Sequence, residues 1–344
     1  LLQYLTQHPL IYIIDIGGSY RKLCEFVNGQ YIEISPSQSG VSSQAINPFL
    51  LPNGSVEPTP QKIKFLISFL ESILTDNEGD KLPKLDKSLL EEAILKTYSK
   101  CLPHRMPRLS DLKATLEDSR HQSLKNFASM LYPWTGDRPY GRLLDAENAL
   151  DLNAEMVVFD LKSLSSYPDL QAAMVLIITD FILSKIENIP DRKKLILMDE
   201  LWEQLKSKGS QNFIEYCVRT LRKTGSGITF LTQGLEEIER SPIGPAILNN
   251  TATKFILMQR GDLEPIRKIL KLNEQEMALI FSLRQQKGVF SEAFLMANEN
   301  RSVIRLVPSA IEYWIATSDA ADNALLADVR LKFPEKSLPE VIHY

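Results

Sequence analysis

Five short runs, each almost unbroken in apolar character, constrain this chain more than any other feature: Ile11 to Asp15, Met156 to Leu161, Leu195 to Asp199, Ile228 to Gln233 and Phe255 to Gln259. Runs this short suit strands better than helices, and the lack of polar alternation implies cover on both faces. Most are separated by segments of helical periodicity, so they read as strands of a mostly parallel sheet flanked by helices, a doubly wound α/β core. A length of 344 residues suits one large α/β unit with an insertion. The longest apolar stretch, Ala172 to Leu183, contains Thr179 and Asp180 and falls short of the roughly 20 residues that span a bilayer, so no transmembrane helix is expected.

The segment from Ser35 to Pro60 is rich in Ser, Pro and Gly and reads as a long loop before a helix over Gln61 to Leu74. From about 86 to 132 the pattern is wholly helical. Ser88 and Glu91 have the spacing of a capping box before Leu89, Leu90, Ile94 and Leu95, and Ser110 opens a second helix. Cys24 to Val27 and Gln30 to Ile34 flank Asn28-Gly29, which predicts a hairpin. The expected division is a first part of the core over 1–60, a mainly helical insertion over 61–140, the rest of the core over 141–320 and a tail over 321–344. Leu1 to Gln7 reads as the tail of an amphipathic helix, with the expectation that a segment lies upstream.

A net charge of −4 carries no electrostatic footprint for bulk nucleic acid, so any DNA contact is expected to be local or to belong to an assembly. Three scattered cysteines, Cys24, Cys101 and Cys217, make no disulfide framework or metal-ligand spacing, and residues 1–14 lack a signal-peptide pattern. A reducing cytoplasm fits that usage.

The sharpest chemical signal is Leu195-Ile-Leu-Met-Asp199-Glu200. An apolar strand ending in Asp can anchor a magnesium hydration shell, and a following Glu can polarise an attacking water, as in a Walker B motif; a helix-capping Asp is the plain alternative. Apolar runs also end in Asp at Asp15, Asp160 and Asp180, but only Asp199 is followed by Glu. The next strand closes on Thr232-Gln233-Gly234, where Gln233 can sense a γ-phosphate or orient the water, or simply close a strand. Between the two strands, a helix over about 211–223 carries Arg219, Arg222 and Lys223 at i, i+3 and i+4; this face suits a phosphate on a neighbouring subunit, while Glu215, four residues before Arg219, offers an ordinary ion pair. Ile14-Asp-Ile-Gly17-Gly18-Ser19-Tyr20 sets two glycines after a strand, either a ligand-side loop or a tight turn. GxxxxGK[ST] occurs nowhere in the 344 residues.

Taken in order, these pieces resemble the conjugative-transfer ATPases of type IV secretion systems, the VirB-four/TraC group. The resemblance runs through Tyr12 to Cys24, Ile46-Asn-Pro-Phe49, Tyr140-Gly141 to Asp160, Leu197-Met-Asp-Glu-Leu-Trp202, Arg222-Lys-Thr-Gly225, Thr232-Gln233, Asn249-Asn250 and Tyr313-Trp-Ile-Ala-Thr-Ser318. It implies a RecA-like P-loop NTPase core and a hexameric, cytoplasmic ATPase at the inner-membrane base of a secretion channel. Such a motor powers pilus assembly and transfer of DNA or protein alongside other secretion-system components, using ATP and Mg2+. Carried over, Asp199 helps hold magnesium through water, Glu200 is the base, Gln233 the sensor, Arg219 or Arg222 the finger acting in trans, and Lys223 a nucleotide contact. Without a phosphate-cradling loop, this stretch by itself is expected to bind ATP weakly or not at all and to be inactive. Two alternatives stay open: a non-catalytic docking module that keeps the motor fold, and a DNA-pump or coupling-protein ATPase of the same superfamily.

Overall fold

The central strand is the best guide to the architecture, because all six residues of β1 (Leu10–Asp15) are buried. The computed structural model describes residues 1–36, 45–51, 55, 57–75, 81–147, 154–187, 189, 191–201, 205 and 208–342, without the side chains of 187, 208–210, 222 and 223. In chain order the α/β layer is built from α1 (Leu2–Leu5), β1, α2 (Arg21–Phe26), β2 (Gln30–Glu33), α3 (Pro60–Leu74), α4 (Lys84–Cys101), α5 (Leu109–Glu117), α6 (Gln122–Met130), α7 (Gly141–Leu144), β3 (Met156–Asp160), α8 (Pro168–Glu187), β4 (Lys194–Met198), α9 (Lys208–Thr220) and β5 (Ser226–Phe230). The five strands pair in the order β2-β3-β1-β4-β5, and every pairing is parallel. The expected doubly wound α/β core is therefore present.

Period-two geometry divides the strand residues between two cores. Leu10, Tyr12, Ile14, Val157, Phe159, Ile196 and Met198 face a large cluster that includes Leu66 and Phe69 of α3, Ile178 and Ile182 of α8, and Ile214 and Cys217 of α9. Ile11, Ile13, Met156, Val158 and Leu197 face the other side, where α1, α2 and Ile315 of the helix Ala310–Ala316 cover them. At roughly 1.5–3 kcal/mol for each buried aliphatic or aromatic side chain, this two-sided burial outweighs any local propensity. The helices α4 to α6 add Tyr98, Leu112 and Phe127 to the same large cluster, so they extend the sheet's core. Between α3 and α8, Lys62 Nζ meets Asp180 Oδ2 at 2.7 Å with the lysine side chain only 8% exposed.

Three local expectations fail. Cys24 to Val27 is not a strand: it belongs to α2 and its exit, so there is no hairpin, and β2 pairs parallel with β3. Asn28-Gly29 instead ends a helix, with Asn28 at φ 53°, its N–H donating to the Glu25 carbonyl and the Gly29 N–H donating to the Cys24 carbonyl at 2.7 Å. The same left-handed backbone serves a hairpin turn or a helix terminus. A side chain at 29 would put its Cβ 2.9 Å from the Met156 carbonyl oxygen, so glycine is required. Ser88 does not cap a helix either; α4 already starts at Lys84, and the Ser88 hydroxyl donates back to the Lys84 carbonyl. The fifth apolar run leaves the main sheet altogether. It forms β6 (Thr253–Leu257), which pairs antiparallel with β8 (Phe290–Ala297), alongside β7 (Gln285–Gln286) and β9 (Asn300–Leu306). One of its faces stays open, with Phe255 and Leu257 more than half exposed.

The Lys62–Asp180 pair gives a stability test. Lys62→Ala strands Asp180 without its cation and should cost about 3–5 kcal/mol, whereas Lys62→Met with Asp180→Leu should be nearly neutral. Urea denaturation of the two variants against the parent measures both.

Candidate functional site

A parallel sheet delivers all its carboxyl ends to one edge, where open α/β sheets take their ligands. Here β3, β1 and β4 bring Asp160, Asp15 and Asp199 to neighbouring places: Asp15 is opposite Asp160, and Ile14 is opposite Met198. The Asp199 N–H donates to the Ile14 carbonyl, holding the residue just past β4 against the end of β1.

Asp199 is half-buried, its Oδ1 accepts from the Glu200 N–H at 2.9 Å, and Oδ2 accepts no hydrogen bond among the described residues. Burial holds its carboxyl above the ordinary range against the Glu200 amide, and the charges of Asp15 and Glu200 add to the rise. Glu200 adopts φ 48°, a left-handed conformation that costs a non-glycine residue on the order of 1 kcal/mol. The turn is fixed by tertiary pairing, since Leu231 N–H donates to the Met198 carbonyl and Leu201 N–H to the Leu231 carbonyl. β5 stops at Phe230, short of the run predicted to reach 233, and the released chain lets Gln233 Nε2 donate to Glu200 Oε1 at 2.8 Å. Residues 33 positions apart thus meet as a carboxylate and carboxamide pair beside a half-buried Asp.

Asp15 is the residue whose importance at this edge the spacing understated. It is fully buried; Oδ1 accepts from the Gly17 and Gly18 N–H groups at 3.0 and 2.9 Å, and Oδ2 accepts from the Tyr20 N–H at 3.1 Å. Burial nevertheless leaves its carboxyl above the ordinary range. The Gly17-Gly18 turn is therefore organised by its own strand-end Asp. Gly18 sits at φ 74°, with Lys162 packed close over it. Asp160 accepts from Tyr31 Oη at 2.5 Å and from the Lys162 N–H at 2.8 Å. Burial pushes the Tyr20 hydroxyl up, reinforced by the charges of Asp199 and Asp15.

Arg219 lies on α9, where its Nη2 meets Glu215 Oε1 at 2.8 Å in an exposed pair of the i, i+4 kind. The backbone of Arg222 and Lys223 runs in a 3-10 turn, Leu221–Thr224, closed by Gly225 at φ 66°, while both side chains lie outside the described residues, as does Trp202. Among the described residues no three His, Cys, Asp or Glu side chains converge to hold a metal. A hard cation here would take one carboxylate, with water and substrate oxygens completing its shell, the usual habit of magnesium. Asp199, with one oxygen uncommitted, fits that role.

A family model described as the TraG P-loop domain matches residues 1–338. The chain belongs to that family. It is 23% identical over 296 residues to the type IV secretion system protein virB4 of Bartonella quintana, covering 86% of this chain and 34% of that protein. It is 25% identical over 264 residues to protein TraC of Escherichia coli, covering 72% of this chain and 29% of the relative. The chain thus spans about a third of the length of these curated relatives. Among solved structures, VirB4 of Thermoanaerobacter pseudethanolicus superposes with a TM-score of 0.74 at 20% identity, over 91% of this chain and 85% of that one. The plasmid coupling protein TrwB, in complex with ADP and Mg2+, gives 0.51 at 12% identity, over 88% and 86%. The VirB4 and TrwB structures share this chain's fold, and the VirB4 and TraC relatives are similar to it along most of its length. Among the described residues no helix is long and apolar enough to cross a membrane.

The buried carboxylate at Asp199 works against the fold. Because its folded pKa is raised, ionisation costs stability as pH rises through that value. Asp199→Asn should therefore stabilise this TraG-family chain by on the order of 1 kcal/mol at neutral pH, with the gain shrinking as pH falls through the raised pKa. Denaturation midpoints of both proteins across a pH series check the sign and the window.

Proposed function

We propose that this chain is the nucleotide-hydrolysing part of a type IV secretion or conjugation motor, with Glu200 as the base that takes a proton from the attacking water. The observation that carries the reading is the 2.8 Å contact of Gln233 with Glu200, next to Asp199 at the sheet's carboxyl edge. Gln233 holds the Glu200 carboxylate and reports on the γ-phosphate of ATP. Asp199 carries magnesium through a bound water, and when bound the ion neutralises charge on the phosphate oxygens. Lys223 contributes to nucleotide binding. Arg219, held by Glu215 in an exposed pair, or Arg222 acts as the finger reaching a neighbouring subunit. The motor works as a cytoplasmic hexameric ring peripheral to the bacterial inner membrane. It engages other secretion-system components and drives pilus assembly and transfer of DNA or protein. Because GxxxxGK[ST] occurs nowhere in the 344 residues, this stretch by itself is expected to be inactive.

In the full-length protein, Glu200→Gln should lower turnover roughly 10²- to 10⁴-fold while nucleotide binding persists. Steady-state hydrolysis and calorimetry with ATP and magnesium test this together, and turnover within about threefold of the parent would remove Glu200 from the role. For the trans arrangement, Arg222→Ala and Glu200→Gln proteins, each inactive alone, should regain activity when mixed rings form. Unchanged hydrolysis in Arg219→Ala, Arg222→Ala and the double variant would reduce that helix face to a solvated one.

A further inference from the structure

We infer that the cleft between α3, α8 and the loop over 45–51 is a binding site for a nucleobase, with a purine nucleoside monophosphate as the ligand that fills it. The cleft encloses about 360 Å³, within the range of small-molecule sites. Ile46, Pro48 and Leu50 line it from the loop, and Ile177 and Phe181 from α8. The buried Lys62–Asp180 pair belongs to the same lining. On α8 the lining residues Ile177, Asp180, Phe181 and Ser184 fall at i, i+3, i+4 and i+7, so one face of the helix is given to the cleft. Apolar walls around a few polar groups are the usual composition of a ligand site.

The pair sets the chemistry of the occupant, because it is incompletely satisfied. Lys62 Nζ is an ammonium with several N–H donors, yet its one hydrogen bond among the described residues goes to Asp180 Oδ2, and the Phe65 ring centroid lies 4.7 Å away. Asp180 Oδ1 accepts no hydrogen bond among the described residues. Burial works against both charges, lowering the Lys62 ammonium and raising the Asp180 carboxyl, while each partner opposes the shift of the other. A carboxylate brought here gains from Lys62 and loses to Asp180, and an ammonium does the reverse. The complementary group is therefore neutral, with an acceptor for Lys62 and an N–H for Asp180 side by side on one edge. A trans peptide bond turns its C=O and N–H to opposite sides, so a peptide backbone does not offer that edge. Guanine, with O6 beside N1–H, and adenine, with N1 beside N6–H, both offer it, and their flat faces suit the walls made by Ile46, Pro48 and Phe181.

Lys185 adds a second contact. It lines the cleft at i+4 from Phe181, is half-buried, and makes no hydrogen bond or ion pair among the described residues. An unpaired ammonium beside a base site is the group for a phosphate. The place of the cleft keeps it apart from the hydrolytic corner. α8 (Pro168–Glu187) runs back from the carboxyl end of β3 to the start of β4, so Asp180 stands about 18 Å of helix axis beyond Pro168, toward the opposite edge of the sheet from Asp199 and Glu200. An occupant ties the 45–51 loop and α3 to the helix that leads into β4. The inference rests on the cleft and its ion pair and not on the assignment of the base Glu200.

Calorimetry on the full-length protein without magnesium, with GMP, AMP, UMP and inorganic phosphate as probes, tests it. GMP or AMP should bind at one per chain and at least about tenfold more tightly than UMP or phosphate, since a smaller ring leaves part of the apolar walls uncovered. Lys62→Met with Asp180→Leu keeps the packing but removes the edge, and should weaken purine binding at least about 100-fold through the loss of two charged hydrogen bonds. The difference between parent and this variant isolates the cleft from any nucleotide held at the carboxyl edge. Lys185→Ala, on a half-buried side chain without partners, should weaken GMP or AMP about tenfold and leave guanosine or adenosine unchanged, a readout that stands even where the double variant fails to fold. Absence of saturable purine binding below about 1 mM would overturn the proposal. So would equal affinity for phosphate, purine binding that survives Lys62→Met with Asp180→Leu, or GMP and AMP affinities unchanged in Lys185→Ala. ATP turnover enters none of these readouts, so the cleft and the hydrolytic assignment fail separately.

Discussion

The parallel ladder centred on β1 is the constraint on which the rest of the structure depends. Its register with β3 and β4 decides which residues arrive together at the carboxyl edge, and two-sided burial of Ile11 to Ile14 fixes that register, because a one-residue slip would exchange the two cores. The edge that results is costly. Asp15 and Asp199 are both held above the ordinary carboxyl range by burial, with the charge of Asp160 adding to the rise at Asp15 and that of Asp15 to the rise at Asp199. The fold tolerates the first because three backbone amides hydrogen-bond to Asp15. Asp199 has one such amide, and this leaves it freer to serve a cation.

Strain is concentrated at the same place. Glu200 is held at positive φ by hydrogen bonds that its neighbours make on either side, and its carboxylate is met by a carboxamide from the next loop. A carboxylate positioned this way is oriented by two elements, the exit of β4 and the exit of β5, so movement of either loop changes its aim. β5 is also the least enclosed strand of the sheet, with exposed residues alternating along it. The most chemically loaded corner of the sheet is therefore also the one with least packing to restrain it.

The helical lobe is coupled to that corner from the other direction. Its aromatic and aliphatic side chains share one continuous cluster with the sheet, and the buried Lys62–Asp180 pair joins α3 to α8, the helix that links β3 to β4. Close packing of this kind transmits displacement, so the lobe and the strand bearing Asp199 move as neighbours of one core.

The α/β class, four of the five core strands, the helical stretch and the Asp199-Glu200 and Gln233 signals were all legible in the sequence. They rest on local patterns: apolar runs too short for helices, and rare residue pairs at strand ends. Asn28-Gly29 was legible only as a left-handed backbone, since what that backbone joins depends on whether the preceding residues find a strand partner; Cys24 found a buried place under the sheet instead. Phe255 to Gln259 has the composition of a core strand, but its pairing with β8, forty residues away in sequence, took it into an antiparallel sheet. The tertiary structure alone decided that Asp15 organises its own glycine turn, that Gln233 reaches Glu200, and that Arg219 turns to Glu215. Composition and periodicity report which surfaces a segment must bury; they carry no information on which distant segment buries them, and the site is made of those distant meetings.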